Sequence, residues 1–330
     1  MVIQMSDSFP NPVIIAKNAM NRLSSLTAGY GQVVCVTDAV LLEQYGRRIQ
    51  SLVANRLIWM LSSDYRAGES HYPSDTIIVG FGGGRSLDTA KLIASETGLD
   101  WISVPTAASH DGIASEVASV SQDGYKYSMK CRCPIAVVAD LSVMAKAPMN
   151  LKLAGTGDIL CKASSLAEWK LASEEHGESF SQAAFNIAKS ALDEVIRDAS
   201  LEALVRAEID AGEAMCMAGS SRPCSGTEHS ISHAMDRRNQ SLHGLQVIFA
   251  TPLCLHYLDE TGYSLYSTDH IRSVMANRGI PMTLDDMSLT LETYLDDIHH
   301  GLQIMKNRER YSVLANVDDA SLTKTIERFY

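Results

Sequence analysis

The sequence predicts an α/β nucleotide-binding unit, a parallel Rossmann-like sheet flanked by helices, followed by an all-α unit. Three observations predict it. Short β-branched runs alternate with helical periodicity as far as about residue 139, a glycine cluster punctuates that alternation between a strand and a helix, and from Pro148 onward the texture changes to long amphipathic segments rich in Ala, Leu, Met and Glu. The expected domains are residues 1–147 and 148–330, and a chain of 330 residues accommodates two domains of ordinary size.

Taken in order, Gln32–Thr37 reads as a strand, about Ala39 to Ala54 as a helix, and Arg56–Met60 and Thr76–Gly80 as further strands, which is βαβ patterning. Gly82–Gly84 precedes a helix over Ser86–Glu96, where Leu87, Ala90, Leu92 and Ile93 recur at helical spacing, and Trp101–Val104 is the next strand. Glu116–Lys130 alternates apolar and polar residues about Gln122-Asp-Gly124, a hairpin pattern, and Pro134–Ala139 is the last strand. The helical half is broken by short loops at Ser220–Ser225, Arg237–Leu242 and Arg278–Pro281.

Bulk properties narrow the function. A formal net charge of -11 leaves no broad basic surface for nucleic acid. The first ten residues lack the basic and apolar regions of a secretory signal, and no apolar run approaches the ~20 residues of a membrane span, so a cytoplasmic protein is expected. Seven cysteines without regular spacing fit a reducing compartment, and Cys131-Arg-Cys133 reads as structural thiols.

Chemistry is concentrated in three segments. Gly82-Gly83-Gly84, after a strand and before a helix, lets backbone N–H groups approach a pyrophosphate, with the helix N-terminus adding positive potential; a tight turn is the plain alternative. Val104–Ser115 packs Thr106, Ser109, His110, Asp111 and Ser115 behind a strand. Asp158, His229 and His243 offer one carboxylate and two imidazoles, a donor set that leaves a position open for substrate on a divalent ion, which as a Lewis acid stabilises a developing alkoxide. Each has a structural reading as well. Asp158, placed at the start of the helical region, suits a helix N-cap; His229 and His233 can share a helix face; His243 can sit in a surface loop; Asp111 can close an Asx-turn. Asp38, after the first strand, is placed to accept ribose hydroxyls or is a surface residue.

The Val104–Ser115 run, Gly82-Gly-Gly-Arg-Ser-Leu-Asp88, Gly157-Asp158 with Ala167–Ala172, Gly226–Asp236, His243-Gly244 and Glu309–Leu314 together resemble sn-glycerol-1-phosphate dehydrogenase over about residues 30–330. That group is similar to glycerol dehydrogenase, the iron-containing alcohol dehydrogenases and dehydroquinate synthase. The resemblance implies reduction of dihydroxyacetone phosphate by NADH or NADPH to sn-glycerol 1-phosphate, the backbone of archaeal membrane lipids. It implies that Gly82, Gly83, Gly84, Arg85 and Ser86 lie along the cofactor diphosphate, with Asp38 and Asp88 also at the cofactor and Thr106, Ser109 and Ser115 at the nicotinamide end. Asp111 and His233 are then catalytic and face substrate, while Asp158, His229 and His243 hold zinc, or another divalent metal such as Fe2+ or Ni2+, with Asp158 also touching substrate. A homo-oligomer is expected. The Leu61–Asp75 connection is short where that family carries a full helix, and Leu245 stands where a Glu is frequent. The rival readings are a related metal-dependent dehydrogenase acting on glycerol, another polyol or a phosphonate aldehyde, and a catalytically silent nucleotide-binding protein.

Overall fold

The computed structural model describes residues 9–330 apart from 11, 54, 55, 123, 124, 239 and 240, so the Asp123-Gly124 turn, the end of the first helix at Ala54, the middle of the Arg237–Leu242 loop and the start of the chain lie outside the described residues. Eight strands are present among them: β1 (Val13–Ala16), β2 (Gln32–Thr37), β3 (Arg56–Leu61), β4 (Thr76–Gly82), β5 (Asp100–Pro105), β6 (Val117–Gln122), β7 (Tyr125–Lys130) and β8 (Ala136–Asp140). Six of them form a parallel sheet in the order β1-β8-β5-β4-β2-β3, and β6 and β7 pair antiparallel as a separate ribbon.

The buried strands β2, β4 and β8 are near-continuous apolar runs because helices cover both faces of the sheet. Their side chains alternate between two cores: Val34, Val36, Ile78, Val137 and Ala139 pack on one face with Leu87 and Ala90, whereas Val33, Cys35, Ile77, Val79 and Val138 pack on the other with Ile49 and Leu23. Each fully buried valine or isoleucine stabilises the sheet by roughly 1.5–3 kcal/mol. The first of these cores runs on through Ile159, Leu166, Trp169 and Leu192 into the helical half.

Two features go beyond the sequence expectations. β1 is an edge strand held by β8, with Val13 opposite Val137, and its four residues are too few to show a period. β4 extends two residues past Gly80, so Gly82 is the last strand residue, opposite Pro105 of β5, and not part of a loop. The Leu61–Asp75 connection joins β3 to β4 without a helix. No helix among the described residues is long and apolar enough to cross a membrane.

This sheet order creates a crevice. From β2 the chain moves outward to the edge strand β3, and from β4 it moves the opposite way to β5, so the carboxyl ends of β2 and β4 form a switch point, where open α/β sheets bind ligands. Asp38 follows β2 there, and Gly83 follows β4.

Candidate active site

A cleft of about 500 Å³ opens at these strand ends and is lined by Asp38, Tyr45, Gly83, Thr106, Lys146 and Leu151. Asp38 caps the helix Ala39–Leu52, its carboxylate accepting from the Leu41 N–H at 2.9 Å. The three glycines serve different ends. A side chain at Gly82 would press on Ser86 and one at Gly84 would collide with His110, so both are required by the packing of the protein itself. A Cβ at Gly83 would meet nothing within 4 Å, and the adjoining space is the cleft. The Thr106 N–H donates to the Gly82 carbonyl at 3.0 Å and joins the two loops. Ser86 is buried behind the turn and Arg85 is exposed beside it. Asp88 lines the smaller cavity described next and not this cleft: Lys91 Nζ lies 3.1 Å from one of its oxygens and the Ser119 N–H donates to the other at 3.2 Å.

A second, smaller cavity of about 180 Å³ lies between the two halves and is lined by His110, Asp111, Ser115, Asp158, His229, His233 and His243. The structure therefore brings Asp111 and Ser115 together with the Asp/His set, while Thr106 faces the larger cleft. Ser109 is half-buried on the loop between them. Asp158 does not begin the helical region and is no N-cap. It stands in the last turn of the helix Met149–Leu160, because the helical pattern starts at Met149, nine residues before it.

Glycine packing explains how Asp158 meets His243. The helix Met149–Leu160 crosses the helix His243–Thr261, and a side chain at Gly157 would overlap the Gly244 carbonyl, just as one at Gly244 would overlap the Ala154 carbonyl. Two backbones in direct contact place the residues beside those glycines, Asp158 and His243, side by side. His229 and His233 come from one face of the helix Thr227–Met235, a turn apart. One ligand atom each from Asp158, His229 and His243 lies within 4.8 Å of the others, with His229 Nε2 3.8 Å from Asp158 Oδ1. The His233 ring stacks on His243 at 5.9 Å.

Hydrogen bonds orient both imidazoles. Ser232 Oγ donates to Gln246 Oε1 at 2.8 Å and so accepts from His243 Nδ1, 2.9 Å away, which leaves the His243 Nε2 lone pair for the cavity. His229 Nδ1 is paired with Glu228 Oε1 at 2.9 Å, which turns its Nε2 to Asp158. A metal-binding histidine characteristically hands its other ring N–H to a carboxylate or other acceptor in this way. Burial, then the neighbouring His229, pushes the His243 pKa well below the ordinary histidine value, so the ring is neutral and able to ligate. Burial opposes ionisation of Asp158, but Lys162 and the surrounding imidazoles outweigh it and hold the carboxyl below its usual range. One carboxylate held toward its ionised form, the neutral His243 ring and the His229 Nε2, facing a common cavity, fit a divalent ion.

Sequence reading missed Lys162. Its ammonium is fully buried, 3.2 Å from Asp111 Oδ2, 2.8 Å from the Asp158 carbonyl and 3.8 Å from Asp158 Oδ2, and the Asp111 N–H donates to Asp158 Oδ2 at 3.1 Å. The Asp111 carboxylate is thus held by a cation from the helical half, and the local turn is closed instead by His110, whose Nδ1 accepts from the Gly112 N–H at 2.9 Å. The available signal was spacing, since Lys162 lies four residues after Asp158. Glu228 and Gln246, next to or one turn from the histidines they serve, were legible in the same way. Glu208, buried nearby with no hydrogen-bond partner among the described residues, is pushed well above its ordinary value by burial and then by Asp158 and Asp111.

Comparison with known proteins fits this geometry. Residues 14–148 match the family model described as iron-containing alcohol dehydrogenase. The chain is 32% identical to glycerol-1-phosphate dehydrogenase [NAD(P)+] of Thermoplasma volcanium over 341 aligned residues, covering 94% of this chain and 93% of that one. The chain belongs to the glycerol-1-phosphate dehydrogenase family. A second family member, from Hyperthermus butylicus, is 29% identical over 92% of each chain. The fold is that of a probable glycerol dehydrogenase from Sinorhizobium meliloti 1021, with a TM-score of 0.73, 19% identity, and coverage of 98% of this chain and 97% of that chain. Membership makes the chain an NAD(P)-dependent oxidoreductase.

Proposed function

We infer that this chain reduces dihydroxyacetone phosphate to sn-glycerol 1-phosphate with NADH or NADPH, residues 1–147 carrying the cofactor and 148–330 the metal and most of the substrate contacts. The observation that carries the reading is the joining of Asp158, His229 and His243 at one cavity, in a chain that matches members of the family nearly end to end. Asp158, His229 and His243 would hold a divalent ion, zinc in our assignment, and that ion supplies Lewis-acid polarisation of the C2 carbonyl when bound. The nicotinamide supplies the hydride.

The chain's own residues do the rest. Gly83 leaves the cleft open beside the helix Gly84–Thr97, whose N-terminus favours the diphosphate, with Thr106 and Ser109 toward the nicotinamide. Asp111, fixed by Lys162, accepts a hydrogen bond from a substrate hydroxyl, and His233 delivers the proton through a hydroxyl or water relay.

Steady-state oxidation of NADH and NADPH tests the reading, with dihydroxyacetone phosphate compared against unphosphorylated dihydroxyacetone. Turnover should favour the phosphorylated ketone; metal-loaded protein that reduces neither, or both alike, would overturn it. The cleft has its own test in Gly83→Val. A Cβ there meets no protein atom within 4 Å, so the fold should persist while the cofactor's KM rises about tenfold or more, since a side chain takes up diphosphate space. Unchanged affinity for NAD(P)H by calorimetry would reduce the glycine loop to a turn.

A further inference from the structure

Two cysteines from opposite halves of the chain meet outside the site described above. Cys133 Sγ lies 3.4 Å from Cys216 Sγ, although the two are 83 residues apart in sequence, and both are half-buried free thiols. Cys131, the neighbour of Cys133 in sequence, turns to Ser95 instead. Cys133 belongs to the segment that joins the β6–β7 ribbon to β8, and hydrogen bonds pin that segment. The Cys131 N–H donates to the Glu116 carbonyl at 2.6 Å, the Arg132 N–H to Ser95 Oγ at 3.0 Å, and Trp101 Nε1 to the Arg132 carbonyl at 2.9 Å. Cys216 stands in the last turn of the helix Leu201–Ala218. That helix lies on the loop after β5, where a side chain at Gly212 would press on the Ser115 backbone, and Ser115 and Met215 both line the small cavity. The sulfur contact therefore joins the halves from two anchored backbones.

The two sulfurs are not equivalent. The Glu116 N–H reaches Cys216 and Lys130 adds positive potential there, so Cys216 accepts and Cys133 donates in the hydrogen bond between them. That bond, then the Glu116 N–H, holds Cys216 below the ordinary thiol value against partial burial, whereas the same bond, then burial, pushes Cys133 up. One sulfur drawn toward thiolate with a second thiol in contact is the arrangement of an attacking and a resolving cysteine. A Glu116 oxygen lies close enough to join the two sulfurs around a metal ion, but that carboxylate is paired with Lys130 at 3.1 Å, and three side chains fall short of the four protein ligands of a structural zinc site. Exchange between sulfurs is the chemistry this contact suits.

We propose that Cys133 and Cys216 form a thiol–disulfide exchange site for a low-molecular-weight disulfide, and that the bridge left between them ties the two halves together and slows release of the nicotinamide cofactor. The Cys216 thiolate attacks one sulfur of the small disulfide, forming a mixed disulfide and expelling one thiolate. Cys133 gives up its proton and attacks Cys216 Sγ; the Cys133–Cys216 bond forms, the mixed disulfide breaks and the second thiolate leaves. Two protein thiols are oxidised, one small disulfide is reduced to two thiols, and the two protons end on those thiols. The cofactor cleft takes its walls from both halves, Gly83 and Thr106 from one and Pro148 and Leu151 from the other. A covalent tie across the junction restrains the separation of those walls.

Oxidised glutathione tests the site on the folded protein. Peptide mass spectrometry should find the Cys133–Cys216 bridge with both halves of the reagent released as glutathione, while Cys131, whose thiol burial pushes up, reacts about tenfold or more slowly. Cys133→Ser should stop at one glutathione held on Cys216, and Cys216→Ser should leave Cys133 largely unmodified. Stopped-flow fluorescence then follows NADH or NADPH leaving the protein. Release should slow about threefold or more in the bridged form, recover on reduction with dithiothreitol, and keep the unaltered rate in glutathione-treated Cys133→Ser. This readout needs no turnover, so it holds whichever ketone is reduced. A bridge that leaves cofactor release unchanged, equal slowing in Cys133→Ser, or glutathione on Cys131 in place of the bridge would each overturn the proposal. So would a protein that carries zinc on Glu116, Cys133 and Cys216 and resists oxidation until the metal is chelated.

Discussion

His243→Ala is expected to reduce turnover by about a thousandfold or more, because it removes one of three side chains that would hold the metal, and metal polarisation of a carbonyl accounts for several kcal/mol of barrier lowering. The fold should survive. His243 is the first residue of its helix, and the close crossing beside it is made by Gly244 against Ala154, which the substitution leaves alone. Far-ultraviolet circular dichroism should therefore match the unaltered protein, while metal analysis should fall from about one zinc per chain toward none. The same loss should follow chelation of the unaltered enzyme and be reversed by added zinc, but not in His243→Ala. Full turnover by metal-free His243→Ala protein would remove the metal from the mechanism. A weaker companion effect is expected at Gln246→Leu, which leaves Ser232 without its acceptor and frees the His243 ring to rotate; partners of this kind are worth about 10–100-fold in metal affinity or activity.

Lys162→Met should damage stability and activity together. The ammonium is fully buried and is the largest single influence drawing Asp158 toward its charged form; it is also the ion-pair partner of Asp111. Removing one member of a buried ionic group leaves the others uncompensated, at a cost of about 3–5 kcal/mol, or roughly 5 °C in melting temperature for a chain of this size. Catalysis should fall by about a hundredfold or more, since Asp111 loses the cation that fixes it and Asp158 becomes harder to ionise. The double variant Lys162→Met with Asp111→Asn separates the two effects. Removing the orphaned carboxylate should return part of the stability and none of the activity. A Lys162→Met protein that melts with the unaltered one and turns over normally would make the ammonium a bystander.

The strands were legible because burial on both faces writes itself into local composition. Between their polar end residues Thr76, Gln32 and Thr37, the strands Thr76–Gly80 and Gln32–Thr37 are unbroken runs without a polar side chain, and the sheet buries them completely. The glycine cluster was legible for a different reason: a strand before and a helix after leave few backbone paths, and Gly82 and Gly84 are needed by Ser86 and His110 whatever is bound. β1 was missed because four residues carry no period, and its place comes from hydrogen bonds to β8, more than a hundred residues away. Asp158 was put at a helix start because Asp favours that position, although the helical texture itself was read from Pro148 and the helix begins at Met149.

The sequence by itself determined the layered sheet, the change to helices after Pro148 and the identity of the Asp, His and Gly residues available for chemistry. Only the tertiary structure decided which of them meet. Periodicity and propensity report what a segment does with its own neighbours, whereas the site depends on contacts between segments far apart in the chain: Gly157 against Gly244, which sets Asp158 beside His243, and Lys162 reaching Asp111. Such contacts are fixed by how closely two backbones can approach and by which buried charges must be compensated, and neither leaves a repeating mark in the sequence.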